Sequence, residues 1–240
     1  GVASTVTRLL PETERRAAWA QSIAELRPAP AHVCLYLGFK GDIRKAGATA
    51  ANKWFYNTFS TEAAAWEVDK GERASLPEAP CLYCSFPSLK DPLHDPGPDQ
   101  LHTGEVVTFV PWESFGRWLG SRWYKRGTEY DDFKGRLQAS LLEQFLAKMP
   151  ALRPHLEYVE MSTPLSTDNF TRPIAGSIYG IEPTPERFEN PWLRPKAPIR
   201  NLFFSGSEVA SVGVIGAMMG GLLAAMACEP IEVFRFLRRM

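Results

Sequence analysis

The chain has 240 residues, 45% of them hydrophobic, and its 27 Lys and Arg balance 27 Asp and Glu to a formal net charge of zero. That is enough apolar material for one or two packed domains. A neutral balance lacks the basic face that nucleic-acid binding needs, so nucleic acid is set aside as a partner.

No run reaches the roughly 18–20 apolar residues that span a bilayer, and no secretory leader opens the sequence as given. The expectation is a soluble, cytoplasmic protein, with peripheral contact at a membrane surface left open. Four cysteines are present. Cys81-Leu-Tyr-Cys84 has zinc or redox spacing, but no second Cys or His pair stands near it to complete a zinc site. The pair lies in a strand-like run and reads as core thiols, and a reducing compartment without structural disulfides is expected, with no metal.

In chain order, Pro11 to Leu26 predicts a helix, opened by Pro11 with Glu12 and Glu14 in its first turn and closed by Pro28. His32 to Phe39 predicts a central strand, because large side chains fall on both of its sides. Trp54 to Phe59 and Cys81 to Phe86 follow as strands, with a short helix expected from Ala63 to Trp66. Ser88 to Asp99 is crowded with Pro and Asp and reads as a surface loop. Glu105 to Val110 gives a fourth strand. Two helices follow, Trp112 to Arg126 and Tyr130 to Met149. The second carries Phe133, Leu137, Leu141 and Phe145 at a four-residue repeat, the mark of a core-facing stripe. Leu156 to Met161 alternates as an edge strand. Asn190 to Pro198 reads as a rigid linker, and Ile231 to Met240 as a terminal helix with basic residues beside Phe234 and Leu237.

The stretch from Ile199 to Ala227 organises the rest. Leu202 to Ser205 reads as a buried strand, Gly206-Ser207-Glu208 as an acidic turn, and the residues from about Val214 to Cys228 as a buried helix stopped by Pro230. Gly213, Gly216, Gly220 and Gly221 each weaken a helix by about 1 kcal/mol against Ala. Such glycines are accepted where a backbone or a ligand approaches closely. A strand, an acidic turn and the free N–H groups of a helix start favour an electron-rich ligand.

This pattern resembles the C-terminal segment of the flavin amine oxidase and phytoene desaturase superfamily, above all its carotenoid isomerase, carotenoid desaturase and retinol saturase branch. The residues that carry the resemblance are Leu202-Phe-Phe-Ser-Gly206-Ser207-Glu208 and Gly213-Val-Ile-Gly216-Ala217. Upstream, Cys34 to Phe39, Ser85 to Pro92, Val107 to Trp112 and Gly176-Ser-Ile-Tyr-Gly180 support the same branch. The resemblance implies FAD as cofactor. Glu208 would accept hydrogen bonds from the ribityl hydroxyls, with Gly206 and Ser207 lining the turn, and Gly213, Val214, Ile215 and Gly216 would face the isoalloxazine edge. Ser207-Glu208 departs from the commoner Gly-Asp or Gly-Gln-Asp form, keeping an acceptor on a longer arm.

The fold class implied is α+β. Residues 1–198 would form a substrate-binding domain with a mixed sheet and flanking helices. Residues 199–240 would be the C-terminal strand–helix segment of a Rossmann-like FAD domain. The superfamily opens with a Gly-x-Gly-x-x-Gly loop, and none occurs here. The N-terminal dinucleotide-binding half is therefore expected either upstream in a longer chain or on a partner chain, and self-association is left open.

Tyr179 is the one weak catalytic candidate, placed near the cavity by the resemblance. Asp168, Asn169 and Arg172 are weaker polar candidates. No Gly-x-Ser-x-Gly elbow is present. The function implied is hydride exchange at a carbon–carbon bond of an apolar polyene, carotenoid-like or retinoid-like. An amine oxidase-like flavoenzyme and a non-catalytic module binding lipid or a partner stand as alternatives.

Overall fold

The computed structural model describes residues 1–57, 59, 65–68 and 76–239. In chain order they form α1 (Val2–Ser4) with a π-helical turn (Thr5–Leu9), α2 (Glu12–Arg15), α3 (Ala18–Ala24), β1 (Ala31–Lys40), β2 (Lys53–Tyr56), β3 (Cys81–Ser85), α4 (Pro87–Lys90) and β4 (Leu101–Val110). After a 3-10 turn (Trp112–Trp118) come α5 (Thr128–Lys148), β5 (Leu156–Ser162), α6 (Pro164–Thr171), α7 (Pro185–Glu189), α8 (Gly213–Cys228) and α9 (Pro230–Leu237). The short helix expected from Ala63 begins outside the described residues, as does Met240.

The chain divides into two compact units, residues 31–170 and residues 1–30 with 171–240. This differs from the sequence-based boundary at residue 198. The physical reason is a shared core: Val6, Trp19 and Ile23 pack in one cluster with Ile181, Leu193 and Phe204.

Among the described residues of the unit 31–170, five strands form one sheet in the order β2-β3-β4-β1-β5. The expected mixed sheet is corrected here, because among the described residues every pairing between these strands is antiparallel. β1 and β4 pair in register from Ala31↔Val110 to Lys40↔Leu101. One-sided burial explains the outcome, since an antiparallel sheet can keep one face partly open where a parallel sheet is covered on both. Val33, Leu35 and Leu37 of β1 face a closed core with Val106 of β4 and Met161 of β5. The stripe of α5 joins the same core, with Leu137, Leu141 and Phe145 fully buried. Each such side chain contributes about 1.5–3 kcal/mol of burial.

The helix expected over Trp112 to Arg126 shortens to the 3-10 turn, because Gly120, Tyr124 and Gly127 adopt left-handed φ values of 77°, 57° and 88°. The first predicted helix likewise breaks into α2 and α3, where Ala17 turns extended at ψ 145°.

In the other unit, the predicted strand Leu202 to Ser205 does not form. Its backbone pairs with the preceding linker instead: Ala197 N–H donates to the Leu202 carbonyl at 3.1 Å and Phe204 N–H donates to the Pro195 carbonyl at 2.7 Å. Only an isolated bridge between Lys196 and Phe203 has strand character. α8 occupies the predicted span, but the buried helix that the sequence predicts is corrected in its burial. Only Gly216, Gly220 and Ala224 are buried, spaced by four residues on one face. Val214 (78% exposed), Ile215 (71%) and Met218 (65%) point outward. α9 buries none of its residues.

Candidate cofactor turn and open sheet face

The glycine face of α8 has a definite occupant. A Cβ on Gly220 would collide with the backbone carbonyl of Gly206, and a Cβ on Gly216 would collide with the carbonyl of Ser211. The loop 206–211 therefore lies directly on the first half of α8, which only glycine permits at these two positions. Gly206 (φ 97°) and Gly213 (φ 87°) are different: nothing stands within 4 Å of where their Cβ would be. They supply turn geometry and leave open space. Val212 holds the N-cap position of α8, and no side chain caps the helix there. Its first N–H groups thus lack the side-chain acceptor that usually satisfies them.

Glu208 is 7% exposed. Its Oε2 accepts from the N–H of Val2 and, at 3.4 Å, from that of Ala3. Its Oε1 lies against Gly180, where a Cβ would collide with the carboxylate. Gly180 has φ 74°, a second reason for glycine at that position. Arg187 of α7, itself 1% exposed, donates to the carbonyls of Ile181 and Ser207. Burial lowers the Arg187 pKa, and the Glu208 charge opposes that shift.

The predicted cofactor residues Gly206, Ser207, Glu208, Gly213, Val214, Ile215 and Gly216 thus lie on one turn and the helix start beside it. Tyr179 precedes the glycine that touches Glu208, and its own side chain is 44% exposed. The buried polar group of that segment is Ser177, whose Oγ has no partner among the described residues. Asp168 and Asn169 lie on α6 in the sheet unit and Arg172 in the other unit.

Sequence reasoning named Gly180 only as the end of the Gly176–Gly180 motif, and it passed over Arg187 and the amides of Val2 and Ala3. An arginine is read by default as exposed, and no local pattern marks a distant backbone amide as a partner.

The sheet unit carries a second feature. The face of the sheet away from α5 holds aromatic side chains that remain half-exposed, among them Trp54, Tyr36 and Tyr158. Trp54 stacks on Tyr56 at a centroid distance of 6.0 Å and meets the edge of Tyr83 at 4.8 Å. Across β1, the Tyr36 hydroxyl accepts from Ser162 Oγ at 3.4 Å. Cys34 lies on the same face, and burial, helped by Glu105, pushes its thiol up to about 12. Cys84, on the core side, is likewise pushed up to about 12 by burial. Both are protonated at neutral pH, as inert core thiols are. Cys228, at the end of α8, is exposed. Among the described residues no cluster of His, Cys, Asp and Glu could hold a metal ion, and no helix is long and apolar enough to cross a membrane.

The site is thus an acidic turn clamped on a glycine-faced helix, a class of geometry suited to a ligand that presents hydroxyls to the acid and an electron-rich edge to the helix start. No family model matches the chain. It is similar to all-trans-retinol 13,14-reductase of Danio rerio, at 26% identity over 230 residues, 92% of this chain and 37% of the relative. It is similar to the human protein of the same name at 25% identity, over 100% of this chain and 40% of the relative. A second Danio rerio protein, named an inactive all-trans-retinol 13,14-reductase, matches at 25% identity over 94% of this chain and 38% of its own length. The chain spans about two fifths of the length of these curated relatives.

Proposed function

We propose that the chain is the C-terminal portion of an FAD-dependent oxidoreductase that exchanges hydride at a carbon–carbon bond of an apolar polyene of retinoid type. The observation that supports this most is a match to retinol reductases over nearly the whole chain, together with a built acidic turn where the sequence pattern expects one. The residues present fit the cofactor. Glu208 is a buried acceptor, Gly206 and Gly213 leave space, and α8 begins without a side-chain cap.

When bound, FAD supplies the hydride chemistry. The chain's own residues hold and orient it. The Glu208 carboxylate accepts ribityl hydroxyls, and the N–H groups of Val214 and Ile215 favour electron density at the flavin edge. Within the sheet unit, the flat aromatic side chains around Trp54, Tyr83 and Tyr36 suit contact with a conjugated apolar chain. The outward apolar residues of α8 and α9 are surfaces that the rest of a longer protein, or a partner chain, covers.

The test is an absorption spectrum of the chain after incubation with FAD and desalting. Retained flavin bands that Glu208→Ala abolishes are the expected result. A colourless wild-type chain would overturn the claim that this portion holds the cofactor by itself.

A second reading is favoured by the relative named inactive, which is about as similar as the named reductases. In that reading the chain binds flavin or polyene without turnover. A chain that retains flavin, but whose reduced, bleached flavin does not regain its bands when all-trans-retinol is added in the absence of oxygen, would support it.

A further inference from the structure

Arg187 is an unusual use of a charged residue. It lies on α7, a helix of five residues, with a side chain almost wholly removed from solvent. Both of its hydrogen bonds go to carbonyls. Nη1 donates to Ile181 at 2.6 Å and Nη2 donates to Ser207. The guanidinium also lies over the Phe188 ring, 5.5 Å from its centroid. Burying a cation without a direct carboxylate partner is costly.

The two acceptors occupy informative places. Ile181 follows Gly180, the residue pressed against Glu208 Oε1, and Ser207 precedes Glu208 itself. One rigid fork therefore joins the two backbone segments that enclose the carboxylate. A lysine has no planar fork to bridge two carbonyls in this way, whereas the donors of an arginine are fixed relative to one another. Gly206, at the start of the strapped turn, lies on Gly220 from the other side.

We propose that Arg187 is the positioning residue of this turn: its guanidinium ties the Ser207 carbonyl to the Ile181 carbonyl and so holds the Glu208 carboxylate over Gly180, in the place where it receives ligand hydroxyls. The proposal rests on the reading of Glu208 as an FAD acceptor and adds the residue that sets how well it accepts. The role is one of position, since Arg187 acts through the turn rather than on the reacting atoms.

The experiment compares the 240-residue chain with Arg187→Met and Arg187→Lys, by hydrogen–deuterium exchange and by FAD titration. Arg187→Met is expected to speed amide exchange at residues 180–182 and 206–209 by about tenfold or more while α5 stays at its wild-type rate, because local openings separate from global unfolding. FAD affinity is expected to fall by about tenfold or more, with Arg187→Lys intermediate, since it keeps the charge and loses the fork. A general packing role would instead raise exchange across the whole unit of residues 1–30 and 171–240, with no partial rescue by lysine, and would overturn the proposal. Turn amides within twofold of wild type in Arg187→Met would also overturn it. A loosened turn with unchanged FAD affinity would overturn the link to the cofactor. Should the wild-type chain bind no FAD, the cofactor reading falls, and the exchange pattern still decides the role of Arg187. If Arg187→Met does not fold, the same amides are read in Arg187→Lys.

Discussion

α5 and α8 bury opposite kinds of side chain. α5, with 21 residues, is charged along much of its length, yet Phe133, Leu137, Leu141 and Phe145 disappear into a closed core. α8, with 16 residues, is almost wholly apolar, yet it buries only Gly216, Gly220 and Ala224 and turns Val214, Ile215 and Met218 outward. Apolar content did not decide burial. In α5 the stripe faces a sheet that the same unit supplies. In α8 the small face admits a backbone loop, and Val214, Ile215 and Met218 stay mostly exposed. A helix of the second kind carries the signature of an interface.

Breaking α5 is expected to give the largest effect. Leu141→Ala should lose about 2–5 kcal/mol of stability, the range for a fully buried leucine, as read by urea unfolding. A loss below 1 kcal/mol would mean that the α5 core is looser than described. Gly220→Ala comes next. Its Cβ meets the backbone of Gly206, which cannot yield as a flexible side chain would, so about 1–3 kcal/mol is expected, with faster exchange at the 206–209 amides.

A smaller, pH-linked effect sharpens the contrast, because the sheet unit buries titratable groups. Burial, and after it the neighbouring His94 and Arg44, lower the His102 pKa, with Asp42 opposing, and burial lowers that of His32. With folded values below the ordinary 6.5, the unfolded chain binds more protons. Stability is therefore full above about pH 6.5 and declines as pH falls below it. Urea midpoints measured from pH 8 to pH 5 should show this decline, and His102→Asn should flatten it. The smallest effect is expected on the exposed side of α8. Ile215→Ser and Met218→Ser should each change stability by less than about 0.5 kcal/mol while reducing self-association in size-exclusion runs. A loss of several kcal/mol would show that this face is packed after all.

Strand and helix positions in the sheet unit were readable because their periodicities are strong. β1 stands where its run of large side chains puts it, the α5 stripe follows its four-residue repeat, and β4 reaches back to Leu101, four residues before the expected start at Glu105. The sheet's antiparallel sense was not readable, since β1 alone looks buried on both sides. The acidic turn was legible as a motif, and its geometry was not. Leu202 to Ser205 looks like a strand in isolation, but a strand needs a neighbour, and the linker at Pro195 and Ala197 took its hydrogen bonds. The glycines of α8 announced a close approach without naming what approaches. Arg187 was invisible because its two acceptors are backbone carbonyls, six and twenty residues away.

Cys228 gives the molecule a practical handle. It is the exposed thiol at the far end of α8, while Cys34 and Cys84 are buried and held protonated. A maleimide dye should therefore attach there in strong preference to these two. Along a helix that rises about 1.5 Å per residue, such a dye would sit roughly 22 Å from Gly213. That lies within energy-transfer range of a yellow chromophore held at the helix start, so quenching of one fluorophore would report both occupancy of the turn and the covering of the outward face.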